Sequence, residues 1–175
     1  MQARDLEKAL HRDPARDVAG DLAAPWQFFR YDNSWVRPQR WWQTAYHGTW
    51  WYALWSILKA GLLLESCDRA AGHEFWEAGV YASPKLATAR QYARPQRVLD
   101  NGAYQRVVLE VAYDHQKLKR QRARGGEQLV LPSDAVAITG VMFQANAPPC
   151  KGEERLESWD PFMEVLPVNY HVAPP

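Results

Sequence analysis

The sequence predicts an α+β fold in which helices and strands are segregated along the chain. Three observations carry that expectation. Helical patterns fall in the first half, at residues 52–60 and 83–93. β-branched runs fall in the second half, at residues 105–113, 128–131 and 135–143. The regular strand-helix alternation of a parallel sheet is missing, which favours an antiparallel α+β arrangement. At 175 residues the chain has the length of one domain with terminal extensions.

The elements follow in order. Residues 1–24 are rich in Arg, Asp and Ala, with Pro14 interrupting a weak helical pattern of Leu6, Leu10 and Val18. They read as a loosely held arm. Residues 25–39 form an aromatic lead-in, with Trp26, Phe28, Phe29, Tyr31 and Trp35, in which Pro38 limits regular structure. The expected division is therefore 1–39 as arm and lead-in, 40–170 as the main domain and 171–175 as a tail.

Arg40 to Ala45 reads as a strand leading into Tyr46-His47-Gly48-Thr49. A helix is expected over Tyr52 to Ala60, because Leu54, Ile57 and Leu58 share one face. Gly61 suits the left-handed position that ends it. A polar loop over residues 65–78 holds His73. Gly79-Val80-Tyr81-Ala82 is a short strand, and a helix follows with Ser83 as N-cap and Pro84 at its first position. Leu86, Ala89 and Ala93 share a face of it. Strands are expected at Gln105–Tyr113, Gln128–Leu131 and Ala135–Phe143, with Met163–Val168 closing a sheet edge where Pro167 is tolerated. Asn146 to Asp160 reads as a loop.

Composition excludes some functions. The formal net charge is +1, so the whole molecule is not an obvious polyanion binder, and any electrostatic preference must come from local clusters. Cys67 and Cys150 form no CxxC pair, and no Cys/His cluster has the spacing of zinc ligands. They fit free thiols in a reducing compartment or a single disulfide. No window approaches the ~18 apolar residues of a membrane span. The charged N-terminus has no apolar signal run, so a cytoplasmic or nuclear location is expected. Nine tryptophans either fill the core or line a groove.

Three stretches carry residue types suited to chemistry. They are Tyr46-His47-Gly48-Thr49, Gly79-Val80-Tyr81-Ala82-Ser83 with Tyr92 in the next helix, and Gly126-Glu127-Gln128-Leu129-Val130-Leu131. Singly, each has a structural explanation: a hydrogen-bonded histidine, a packing tyrosine, a solvated glutamate. In order and spacing the set resembles the ADP-ribosyltransferases, closest to the poly(ADP-ribose) polymerase-like branch with catalytic His, Tyr and Glu. The likeness covers about residues 46–145, including Leu58-Lys59-Ala60-Gly61-Leu62 after the first block.

The resemblance implies a split antiparallel β-sheet with helices packed on it, residues 40–170 being the catalytic domain, and a cleft that binds NAD as substrate. It implies that His47 bonds a ribose hydroxyl, that the Gly48 backbone bonds the carboxamide, and that Tyr81 and Tyr92 stack on nicotinamide. Thr49, Ala82 and Ala89 would line the same site. Glu127 would stabilise the positive charge formed as nicotinamide leaves, and ADP-ribose would pass to a macromolecule. No metal is implied.

The chemistry suits these residue types. Glycosidic cleavage creates an oxocarbenium-like centre that a fixed carboxylate stabilises. A neutral imidazole both donates and accepts, which matches a hydroxyl. Glycine allows close approach to the main chain. Ala89 stands where many family members carry a hydroxyl residue. A register one residue off would turn Gln128 into the cleft in place of Glu127, and Glu110 is a third carboxylate.

Residues 115–124 carry five Lys and Arg and no acid. The 117–124 loop would offer an acidic acceptor or nucleic acid a basic surface, or simply be a solvated loop. Arg90, Arg94 and Arg97 are alternative partners for the NAD pyrophosphate. Trp50 and Trp51 form either an adenine wall or the packing of the helix start. An RNA 2′-phosphotransferase-like enzyme, or a non-catalytic ADP-ribose- or RNA-binding module of the same fold, are the competing functions.

Overall fold

The computed structural model describes residues 8–19, 25–66, 77–97, 103–121, 128–145 and 147. The strands are β1 (Leu10–Arg12), β2 (Trp26–Tyr31), β3 (Gln43–Thr49), β4 (Val80–Ala82), β5 (Gln96–Arg97), β6 (Tyr104–Tyr113), β7 (Arg120–Gln121), β8 (Leu129–Leu131) and β9 (Val136–Gln144). The helices are α1 (Trp51–Ala60) and α2 (Leu86–Tyr92). The fold is α+β with antiparallel pairing throughout these strands.

The larger sheet runs β1-β2-β9-β6-β3, and the smaller one runs β4-β8-β7. β5 also pairs with β6, through Gln96 opposite Gln105 and Arg97 opposite Tyr104. The Tyr104 carbonyl accepts from the Ala147 amide, which continues the β9 side of β6. β5 therefore takes the other edge, the one β3 occupies from Val107 to Tyr113. The chain leaves that edge after Thr49, makes α1, β4 and α2, and returns at Gln96. This detour sets the second sheet beside β3.

Long β-branched runs make the two central strands. β6 is buried at eight of its ten positions, as a strand covered on both faces must be. Its pairing with β9 slips by one residue between Glu110 and Val111, with Glu110 opposite Gly140 and Val111 opposite Ile138. One face of the sheet packs Ala45, Val107, Leu109, Val111 and Ile138 against Leu54 and Leu58 of α1 and against Val80, Ala82, Leu129 and Leu131 of the small sheet. The other face packs Trp26, Phe28, Val108 and Met142 against Ala89 and Ala93.

α1 ends as its sequence dictates. Gly61 has φ 64° and its amide donates to the Ile57 carbonyl at 2.8 Å. At the other end the Gln96 side-chain oxygen accepts from the Trp51 amide at 2.8 Å, satisfying one of the open donors of the first turn. Leu58 is only 2% exposed, and burying such a side chain contributes about 1.5–3 kcal/mol. α2 is shorter than expected. Ser83 is not its cap; the Ser83 hydroxyl accepts from the Lys85 amide at 3.1 Å, and the helix starts at Leu86.

The stretch expected to be an arm and an aromatic lead-in supplies two strands. β1 and β2 pair through Leu10 opposite Tyr31, and β2 pairs with β9 through Phe28 opposite Met142. Asp17 explains how this region is held. It takes a bidentate ion pair from Arg12 at 2.6 and 2.7 Å and accepts from the Phe28 amide at 3.0 Å. The Arg12 hydrogen bond, then the Phe28 amide, hold its carboxyl below the usual range. The expected strand at Met163–Val168 and most of the 146–160 loop lie outside the described residues.

Candidate functional site

The site is built where β3 meets β4. The Tyr46 amide donates to the Ser83 carbonyl at 2.7 Å, and the Ser83 amide returns a bond to the Tyr46 carbonyl at 2.8 Å. This is an isolated antiparallel bridge. One residue further, the half-buried His47 side chain spans the junction, with Nδ1 2.7 Å from the Tyr81 carbonyl oxygen. A carbonyl only accepts, so Nδ1 carries the proton. In the neutral ring Nε2 is then an acceptor.

Gly48 is placed by two constraints. Tyr46 turns its amide and carbonyl away from β6 and toward β4. Alternation along a strand gives Gly48, two residues on, the same direction. Its main-chain groups therefore point to the side on which His47 meets Tyr81. Its missing side chain explains something else. A Cβ there would collide with the Ala89 carbonyl oxygen and lie 2.8 Å from the Ala93 nitrogen and 2.9 Å from Tyr92 Cβ. The glycine that the sequence offered for ligand approach is needed for α2 to reach β3.

That contact accounts for Ala89. It is 2% exposed in the apolar cluster of Trp26, Phe28, Val108 and Met142, a poor place for a hydroxyl. Ala82 is core, packed with Val80 and Leu129. Thr49 is buried opposite Val107 on the His47 side of β3. Tyr81 is 7% exposed, and its hydroxyl donates to the Glu77 carbonyl at 2.7 Å. Tyr92 is half-buried, and its hydroxyl accepts from Gln128 Nε2 at 3.3 Å. His47 thus meets Tyr81, Ala89 and Tyr92 pack against Gly48, and Ala82 lies in the apolar core with Val80 and Leu129.

Glu127 lies outside the described residues. Its neighbour Gln128 is 6% exposed and is the residue beside Tyr92. Sequence reasoning raised Gln128 only as a register alternative. The alternation that sends Leu129 and Leu131 into the core does not reveal its bond to Tyr92.

Glu110 stands elsewhere. It pairs across β3 with Tyr46, on the opposite face from His47. It is 5% exposed and takes bonds from Arg16 Nη2 at 2.5 Å and Thr139 Oγ1 at 2.8 Å. The Arg16 guanidinium also lies 4.0 Å from the centre of the Phe28 ring. Burial, and then the nearby Glu110 charge, raise the Tyr46 hydroxyl above its ordinary pKa.

The basic segment is engaged by acids within its described part. Lys117 bonds Asp134 at 2.8 Å, Lys119 bonds Glu65 at 2.7 Å, and Arg120 bonds Glu77 at 2.8 Å. Trp51 turns inward, its ring 5.5 Å from Phe143, which fits packing of the helix start. Trp50 is half-buried with Arg94 over its ring, and Arg97 lies over Tyr104. Among the described residues no group of His, Cys, Asp and Glu is placed to hold a metal, and no helix is long and apolar enough to cross a membrane. His73, Cys67 and Cys150 lie outside the described residues. No protein-family model matches the chain, and no curated protein matches it.

Proposed function

We propose that the chain is an NAD-dependent ADP-ribosyltransferase of the His-Tyr-Glu type, with the family's split sheet and a cleft at the β3–β4 junction. One observation carries this: the His47–Tyr81 bond joins the two stretches that the sequence singles out, 34 residues apart. The α+β architecture and the chain's departure from the β6 edge after Thr49 are consistent with a split sheet.

In the proposed reaction the bond between the nicotinamide-ribose C1′ and the ring nitrogen breaks. Nicotinamide keeps the bonding pair and leaves neutral. The oxocarbenium-like ribose is attacked by an acceptor oxygen or nitrogen, which loses its proton to solvent. The Gly48 main chain would take the carboxamide. Tyr81 and Tyr92 would flank the ring. In the tautomer set by Tyr81, His47 Nε2 is an acceptor and would accept from a ribose hydroxyl. Glu127, assigned from sequence alone, would oppose the positive charge; removing such a preorganised group typically costs about 10²–10³ in rate.

One observation favours a non-catalytic ADP-ribose- or RNA-binding module instead. Among the described residues, the side chain that bonds the Tyr92 hydroxyl is the neutral Gln128. The assay that separates these functions follows labelled NAD in the presence of protein and RNA acceptors. Transfer of label, with release of nicotinamide, supports the transferase. Loss of a 2′-phosphate from RNA marks the phosphotransferase. Binding of NAD without release of nicotinamide marks the module.

A further inference from the structure

The outer face of α1 and the turn after α2 form an exposed aromatic ledge. Tyr52 and Trp55 are 62% and 53% exposed and lie three residues apart, on one side of the helix. Lys59, four residues beyond Trp55, extends the stripe and is exposed. Trp50 meets Tyr52 edge-on, with ring centres 5.2 Å apart. The guanidinium of Arg94 lies 4.6 Å from the centre of the Trp50 ring. Leu54 and Leu58 hold the opposite side of α1 in the core, while Tyr52 and Trp55 face away from it.

Charge selects the partner. From Trp50 to Leu64 and from Ala78 to Leu99 the sequence holds no Asp or Glu, but does hold Lys59, Lys85, Arg90, Arg94 and Arg97. Flat exposed rings with cations and no acids match a chain of flat bases on an anionic backbone. A duplex hides its bases inside its stack, so the match is to an unpaired strand.

We infer that the Trp50–Tyr52–Trp55 ledge, with Arg94 and Lys59, is a stacking platform for single-stranded nucleic acid. The ledge begins two residues after Gly48, so one end of it adjoins the end of β3. That a bound strand is also the acceptor rests on the transferase proposal. Its binding does not, and the two fail separately, because the measurement below uses no NAD.

The test is fluorescence anisotropy with a labelled mixed-sequence 12-mer, as RNA and as DNA, added to the full chain over a range of salt. Binding should weaken as salt rises, and the matching duplex should bind less well. Tyr52→Ala with Trp55→Ala should weaken binding roughly tenfold or more, in line with the loss of base stacking. Arg94→Gln, which keeps every aromatic ring, should weaken binding and flatten the salt dependence. Lys117→Ala should change neither. Circular dichroism confirms that each variant folds.

Binding unchanged by the double variant would overturn the inference. So would binding to phosphatidylserine vesicles with none to the oligonucleotide. A third contrary result is no oligonucleotide binding together with a cross-link from Trp55→Cys to the acid-rich segment at residues 153–164, which would give the ledge to the chain's own tail.

Discussion

His47 and Glu110 lie on opposite faces of the same strand pair, one register step apart. Both are polar groups set among apolar neighbours, and their surroundings differ. Glu110 is enclosed by Arg16 and Thr139, so its two carboxylate oxygens have protein partners. It fastens the N-terminal turn to the sheet. The bond from His47 Nδ1 to Tyr81 instead fixes a tautomer and orients a ring at the junction of two sheets. A buried charge closed off by partners serves the fold, whereas a ring held through Nδ1 has an acceptor at Nε2, the chemistry that the proposed role of His47 uses.

Substitutions sharpen this contrast, starting with the largest effect. His47→Ala should lower NAD turnover by about 10²-fold or more while the fold persists. Steady-state release of nicotinamide measures the first effect and chemical denaturation the second. An active His47→Ala variant would break the comparison at its functional side.

Arg16→Ala should show the reverse pattern. It leaves the Glu110 carboxylate in a mostly buried site with Thr139 alone. Removing one member of a fully buried pair costs about 3–5 kcal/mol; here only the carboxylate is buried and Thr139 still bonds it, so the cost should fall below that range. Urea denaturation should record that loss, with turnover per folded molecule unchanged. Glu110→Gln should cost less, because the Arg16 side chain is 45% exposed and can turn to solvent.

Gly48→Ala tests the contact between β3 and α2. The added methyl meets helix backbone, which cannot move aside as a flexible side chain would, so a cost of about 1–3 kcal/mol is expected. The displaced Tyr92 should also raise KM for NAD. A variant of unchanged stability would show that α2 does not depend on the glycine.

The smallest effect is on acid stability. Asp17 and Glu65 have folded-state pKa values held down, first by the side-chain bonds of Arg12 and Lys119 respectively. A lowered folded pKa gives stability that is present above the ordinary carboxylate pKa and lost as pH falls through the folded value. Stability should therefore drop below about pH 4. Asp17→Asn and Glu65→Gln should each flatten that fall, as measured by denaturation at several pH values.

What the sequence disclosed depended on how local each signal was. β6, β8, β9 and α1 were legible because hydrophobic period and the Gly61 stop are written in consecutive residues. β2 was obscured because both of its faces meet apolar neighbours, Trp26 and Phe28 on one side of the sheet and Phe29 and Tyr31 on the other, so no clean apolar-polar alternation is written in the sequence. β1 was obscured because its region is tied down by Arg16, whose partner is 94 residues away. The junction was legible in part. His47 and Tyr81 stood out by type and order, but the Gln128–Tyr92 bond arises only from tertiary contact. The basic run at residues 115–124 shows how linear charge misleads: the acids that bond Lys117, Lys119 and Arg120 come from distant segments.

The measurement that bears most directly on the central proposal is nicotinamide release and label transfer from NAD by Glu127→Gln beside the unaltered protein. The proposal predicts turnover by the unaltered chain and a fall of about 10²-fold or more in the variant, with NAD affinity retained. Equal turnover by both proteins, or none by the unaltered chain with any acceptor, would contradict it.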